Sequence, residues 1–432
     1  MNKLYDLINA INESREQFEA IMGSDESPDF FTDEIYARGE WDHEDMLGSG
    51  DNLAFMIWLL KKQDMAGKIQ LIYVDPPFFS NSRYQASVRL ESEKLGKSPV
   101  IKTGAYDDRW EDSFKQYLSM LALRFMLMRE LLSETGCIWV HLDWHGSHYV
   151  KMMLDEIFGE SYFVNEVIWT YKSGGASKRK FAKKHDSLLF YSKTRNYKFN
   201  PLQEKSYNRG FKPYRFEGVE EFQDELGWYT KVNMKDVWSI DMVGRTSAER
   251  TGYATQKPEK LLERIVQACS DEGDLCADFF SGSGTLGAVC SRMKRRWIMC
   301  DEGDVATQSQ ILRLFGDKQK YHDGAFAVKR CEKLPAGSYV RFSKELGCLR
   351  VDEYKPDSFQ LSAVDESIAE KYIGSSGSAA VSFWSVDPDF DGQTHRAKEL
   401  VKGNDFCPLP GEIGERMHIV GYDVFGNRFE WE

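Results

Sequence analysis

The sequence predicts an α/β fold: a doubly wound, mostly parallel sheet with a small β-rich C-terminal domain. Three observations carry this. Apolar runs of strand length alternate with stretches of helical spacing, the pattern of a parallel sheet crossed by helices. Two of the runs, 71–74 and 137–142, are almost continuously apolar, as strands buried on both faces are, and each stops at an acid, Asp75 and Asp143. A third run, ending near Phe280, leads into a glycine-rich turn that opens a helix.

Taken in order, 4–22 has apolar residues at helical spacing (Leu4, Leu7, Ile8, Ile11, Phe18, Ile21) and predicts an amphipathic helix. Residues 23–50 read as acidic and irregular, with Phe30, Phe31, Ile35 and Tyr36 as packing points. Asp51 or Asn52 caps a helix over 54–62, which passes through Gly67 into the strand ending at Asp75. Residues 79–109 read as a polar, mobile loop beside a site. A long helix over 110–132 follows, with Tyr117, Leu121, Phe125, Leu127 and Leu131 facing inward and Gly136 as its stop. Further on come a strand at 137–143, a helix at 149–158 closed by Gly159, and strands at 164–171 and 187–192. Residues 195–250 are aromatic and mixed in charge, without clear period. A helix over 257–269 has Pro258 in its first turn, and then come a strand at 275–280, the turn at 281–287, a strand at 297–300 and a short helix at 311–315. Beyond about 335 only short β-like runs remain, such as 379–384 and 418–424. The domain reading is therefore a helical and acidic segment over 1–44, a central α/β domain over 45–330, and a C-terminal domain over 335–432.

The net charge of −12 speaks against a nucleic-acid partner only until its distribution is read. Residues 1–50 carry thirteen acids and three bases, and 336–432 carry seventeen acids and ten bases, which leaves +5 for the stretch between. Within it, 172–198 holds nine Lys or Arg against one acid, Asp186. Local basic surface decides phosphate binding more than the total does. The eight scattered cysteines form no CxxC pair, so neither a zinc site nor a disulfide framework is expected. No stretch is long and apolar enough for a membrane helix, and 1–22, with Asp6, Glu13, Glu16 and Glu19, does not read as a secretory signal. The expectation is a cytoplasmic protein with no membrane partner.

Two stretches carry chemistry. Asp75-Pro76-Pro77-Phe78 ends a buried strand, where ligands of α/β sheets sit. The Asp75 carboxylate and the rigidly held Pro76 carbonyl offer two acceptors to a planar amino group, and an aromatic ring beside them can stack on a flat heterocycle. The second stretch is Asp278-Phe279-Phe280-Ser281-Gly282-Ser283-Gly284-Thr285. Its glycines let backbone approach a ligand, and about twenty residues on Asp301 and Glu302 end the next strand, placed for ribose hydroxyls. Gly282, Gly284 and Gly287 also match GxGxxG, so this turn alone leaves a nicotinamide cofactor open.

Together these stretches resemble the amino-group DNA methyltransferases that use S-adenosylmethionine. DPPF at 75–78 looks like the family's catalytic tetrad and DFFSGSGT at 278–285 like its cofactor loop. GDNL at 50–53, HDSLLFYSK at 185–193 and TQKPEKLLERIV at 255–266 agree with it. Catalytic motif first and cofactor loop late resembles the permuted β group, and the likeness is greatest to modification subunits of type III restriction systems. It implies a permuted Rossmann-like fold and methylation of adenine N6 in duplex DNA with the base flipped out. Asp75, Pro76, Pro77 and Phe78 are then catalytic. Asp278, Phe279, Gly282 and Gly284 meet the methionine end of the cofactor, Gln256 and Lys257 shape that pocket, Asp301 or Glu302 holds the ribose, and Asp51 meets the adenine. Lys178, Arg179, Lys180, Lys183 and Lys184 would meet DNA phosphates, in a loop with Gly174 and Gly175 that orders on DNA. Residues 195–250 hold a short target-recognition insertion. No metal is required; a restriction subunit and a homodimer are the further partners implied. The rival readings are a cytosine-N4 methyltransferase, a non-catalytic DNA-binding subunit, a nicotinamide enzyme and an RNA substrate.

Overall fold

The computed structural model describes the chain apart from residues 1–2, 39–43, 90–99, 111–112, 173–177, 317–323, 335–338, 346, 363, 365–367, 370–372, 374–375, 398, 404, 409–415 and 432. In chain order the first elements are α1 (Lys3–Gly23), β1 (Phe31–Arg38), β2 (Glu44–Ser49), α2 (Asn52–Lys61), β3 (Ile69–Val74), β4 (Arg83–Arg89), β5 (Val100–Asp107), α3 (Phe114–Leu131), β6 (Leu132–Leu142), α4 (Ser147–Phe158), β7 (Phe163–Thr170) and β8 (His185–Ser192). They continue with β9 (Gln203–Tyr207), β10 (Glu221–Asp224), β11 (Gly227–Asn233), β12 (Val237–Ser239), α5 (Glu259–Cys269), β13 (Leu275–Asp278), α6 (Thr285–Arg292), β14 (Arg296–Asp301), α7 (Asp304–Phe315) and β15 (Gly324–Arg330). The C-terminal part holds β16 (Val340–Glu345), β17 (Cys348–Tyr354), β18 (Val381–Asp387), β19 (His395–Ala397) and further short strands.

Among the described residues eleven strands form one sheet, in the order β12-β7-β8-β6-β3-β13-β14-β2-β15-β1-β19. Its centre, from β6 to β15, is parallel, and β8 and β1 turn antiparallel on either side. Side chains alternate along the central strands as the pleat requires. Ile72 and Val74 face the layer of α1 to α4, while Leu71 and Tyr73 face α5 to α7. The doubly wound, mostly parallel sheet read from the apolar runs is therefore the observed one.

Three stretches differ from the sequence reading. Residues 23–50 are not irregular: they contain β1 and β2, both in the main sheet. Charge hid β1, because Glu34 is a buried strand residue rather than a surface one. Residues 79–109 contain the antiparallel hairpin of β4 and β5, with Tyr84 stacked on Tyr106 at 4.6 Å, instead of an open loop. The third difference is at Gly136, which does not stop α3 but lies inside β6. A Cβ there would stand 2.9 Å from the Ser133 carbonyl and 3.0 Å from that of Ile69, so close strand approach explains the glycine.

The C-terminal strands share core with the main sheet. Phe383, Ala397, Val420 and Tyr422 pack in the layer that holds Tyr36 and Phe315, and β19 extends the sheet beside β1. A buried polar cluster fastens the two parts. Glu34 accepts from the hydroxyls of Tyr36 and Tyr422, each at 2.6 Å, and from Arg428 Nε at 2.9 Å, while Arg330 donates to Tyr422 and to Asp33. Burial alone would raise the Glu34 carboxyl, but Arg428 and Arg330 outweigh it and hold the group at about 2. Its contribution to stability is thus complete above its ordinary value of 4.5 and is lost as the pH falls from there towards 2. Glu34→Gln, which leaves two guanidinium groups short of a partner, is expected to cost roughly 3–5 kcal/mol in chemical denaturation at neutral pH. The variant should also lack the wild-type loss between pH 4.5 and 2; an unchanged denaturation midpoint would contradict this.

Candidate functional site

The site is made by one pairing. β13 lies beside β3 in parallel, with Cys276 opposite Leu71 and Ala277 opposite Ile72. The strands end together, so Asp75-Pro76-Pro77-Phe78 and the turn at 278–285 open onto one cavity of about 480 Å³. That volume suits a nucleoside-sized ligand. Of the residues singled out in the sequence, Asp75, Pro76, Pro77, Phe78, Gln256, Lys257, Asp278, Phe279, Gly282, Asp301 and Glu302 all line it.

The tip of β3 is held from below and from the side. The Tyr73 hydroxyl is hydrogen-bonded to His141 Nδ1 at 2.8 Å, and His141 Nε2 is hydrogen-bonded to the Asp186 carboxylate at 3.2 Å. His141 is a satisfied core histidine; its Nδ1 stands 3.8 Å from Asp75 Oδ1. After the prolines, Asp108 gathers the chain: its buried carboxylate accepts from the backbone N–H of Phe78, Phe79 and Ser80, from the Ser80 hydroxyl and from Trp110 Nε1. Phe79, at φ +61°, packs on Phe114 and Tyr117 against the core, whereas the half-buried Phe78 faces the cavity.

Asp75 is ion-paired through Oδ2 with Lys257 Nζ. Its Oδ1 is buried and has no hydrogen-bond partner among the described residues. Lys257 lies just before α5, and its ammonium also sits 5.3 Å from the centre of the Phe78 ring. Gln256, expected in the pocket wall, does line it, but its amide is engaged with Thr251 and the Glu249 carbonyl, so it fastens the loop over 249–256.

The glycine turn is built from left-handed backbone. Gly282 has φ +47° and Gly284 φ +71°, and a Cβ on Gly284 would stand 2.9 Å from Gln310 Cγ. Gly284 lies under the cavity as the cap of α6 rather than in its lining. Asp301 fixes the turn by accepting from Gly282 N at 2.7 Å and Gly303 N at 3.0 Å. Burial lifts its carboxyl to about 6, the two N–H bonds pulling the other way. Asp278, which accepts from Phe280 N at 3.0 Å, is raised well above its ordinary range, first by burial and then by Asp75 and Asp301.

Asp51 stays outside the lining. It caps α2 by accepting from Leu53 N and pairs with Arg124 at 2.9 Å; its neighbours Asn52 and Arg124 are the residues that reach the cavity. Lys178, Arg179, Lys180 and Lys183 are exposed on the segment leading into β8, with Lys184 half-buried beside them; Gly174 and Gly175 lie outside the described residues. Ala105, Tyr106 and Asp107 fall within the stretch read as lying beside a site, but neither they nor Tyr253 and Thr255 were singled out as lining residues. The lone aromatic Tyr253 and the polar–apolar alternation along 83–90 were the signals available for them.

The DNA methylase family of N6 and N4 enzymes matches residues 69–310. The chain is 29% identical over 336 residues to the type II methyltransferase M.EcaI of Enterobacter cloacae, covering 64% of this chain and 68% of that protein. It is 27% identical over 236 residues to M2.DpnII of Streptococcus pneumoniae, covering 54% and 77%. Among solved structures it is similar to the cytosine-N4-specific PvuII DNA methyltransferase, at 15% identity and a TM-score of 0.44 over 66% of this chain and 90% of that one. With a family match that spans more than half of its length and includes both the β3 tip and the glycine turn, the chain belongs to the DNA methylase family.

Proposed function

We propose that this DNA methyltransferase is site-specific and acts on the N6 amino group of an adenine swung out of the duplex. Its donor is S-adenosylmethionine, whose sulfonium supplies an already activated methyl carbon. The residues fit that cofactor: an acid-lined cavity suits a ligand with two positive centres, and the left-handed Gly282 leaves its backbone open to it. In this proposal Asp278, Phe279 and Gly282 hold the methionine end with Gly284 shaping the turn beneath them, Gln256 and Lys257 shape that pocket, Asp301 or Glu302 takes the ribose, and Asp51 stands outside the lining on the adenine side.

The observation that carries the reading is the buried Asp75 Oδ1 without a partner, at the mouth where the Pro76 carbonyl also stands. Two fixed acceptors would take the two N–H bonds of an exocyclic amine and draw its lone pair out of conjugation with the ring. The catalytic contribution is positioning and preorganised electrostatics. Pro77 stiffens the tip, and Phe78 would stack on the base. An acid in the first tetrad position supports adenine over cytosine. The order of the motifs along the chain supports the permuted β group. Resemblance to type III modification subunits supports a restriction-subunit partner and a homodimer. The three-stranded sheet of β9, β10 and β11 is our candidate for target recognition. The exposed lysines and Arg179 between β7 and β8 are our candidates for phosphate contact.

Asp75→Ala is expected to lower methyl transfer by roughly 10²–10³-fold while cofactor affinity stays near wild type, measured by tritium transfer and calorimetry. Nucleoside analysis of the product DNA should find N6-methyladenine; N4-methylcytosine would overturn the adenine assignment. Cofactor binding should also depend on pH. The Asp301 carboxyl sits at about 6, so lowering the pH from 7 to 5 protonates the proposed ribose acceptor. Kd should rise roughly tenfold over that range, and Asp301→Asn should flatten the dependence. A wild-type Kd that is constant with pH would remove Asp301 from the ribose site.

A further inference from the structure

Phe181 is 98% exposed, among the least covered positions a phenylalanine can take. It stands in the run Lys178-Arg179-Lys180-Phe181-Ala182-Lys183-Lys184, an aromatic ring set among five basic residues. The segment is tied to the main sheet at two points. Lys183 Nζ sits 2.9 Å from the centre of the Trp144 ring, just past the end of β6, and the Lys184 carbonyl accepts from Tyr171 N. Five residues after Phe181 comes Asp186, which receives the His141 hydrogen bond directly behind Asp75. Five residues of chain reach at most about 18 Å. A cationic segment carrying one bare aromatic ring is thus held beside the cavity that would receive a base.

We infer that Phe181 is the wedge that enters the duplex at the position the target base vacates. Extruding a base costs its pairing and stacking, and an apolar side chain inserted between neighbouring base pairs restores part of the lost stacking. The flanking lysines and Arg179 would hold the ring against the strand through phosphate contacts. The ring touches neither the amine nor the cofactor, so Phe181 is a positioning residue. This inference rests on the flipped-base reading above.

The test compares wild type, Phe181→Ala and Phe181→Leu on two duplexes carrying the methylated sequence. One is fully paired; in the other the target base faces an abasic site and is already unpaired. The expected result is a loss of roughly tenfold or more in kcat/KM for Phe181→Ala on the paired duplex, with near wild-type transfer on the abasic duplex. Phe181→Leu should recover most of the activity. Cofactor affinity should be unchanged throughout, and 2-aminopurine at the target position should brighten on binding wild type but less with Phe181→Ala. Equal transfer by Phe181→Ala and wild type on the paired duplex, or equal losses on both duplexes, would overturn the wedge. Wild type that leaves 2-aminopurine dark at the target position of both duplexes, while transferring methyl to the matching adenine duplexes, would overturn the flipped-base reading itself.

Discussion

The parallel pairing of β3 with β13 is the constraint on which everything else depends. Two stretches about two hundred residues apart in the chain become neighbours in the sheet, and both strands end at the same level. Pro76 and Pro77 cannot continue a ladder, and Gly282 and Gly284 occupy left-handed backbone that other residues adopt at a cost, so each strand stops where it must. The cavity is what remains between the two stops. Helices on both faces keep that edge rigid, and the Glu34 cluster fastens the C-terminal strands to the far side of the same sheet.

Electrostatics gives the cavity its character. Asp75, Asp278, Asp301 and Glu302 face it, with Lys257 and Arg124 as the cations in its lining. Burial raises both Asp278 and Asp301, so a positive or hydrogen-bonding group arriving beside them would favour their ionised forms. Lys257 takes one oxygen of Asp75 and leaves the other. A carboxylate with one satisfied oxygen and one buried and open is poised as an acceptor, and the Asp108 knot of backbone N–H bonds keeps the following turn from shifting.

The central strands and the site motifs were legible in the sequence because their signals are local: β-branched and aromatic runs, a proline pair, glycines with an acid about twenty residues on. What the sequence hid depends on partners distant in the chain. Glu34 reads as a surface acid until Arg330 and Arg428 stand beside it. The β4–β5 hairpin has an alternation too polar to mark a buried face, since among its described hydrophobic residues only Ala86 and Ile101 are buried. Gly136 follows a helical run and looks like its stop, although its reason is the Ile69 carbonyl of the neighbouring strand. Asp51 matches the motif expected at the cofactor, yet the fold gives its carboxylate to the α2 cap and Arg124.

The most direct test of the central claim is a crystal structure of the protein with a non-transferring cofactor analogue and its duplex. The account predicts an extruded adenine whose amino nitrogen lies about 3 Å from both Asp75 Oδ1 and the Pro76 carbonyl oxygen, with the analogue against the glycine turn. A base seated elsewhere, with Asp75 making no contact to it, would contradict the account.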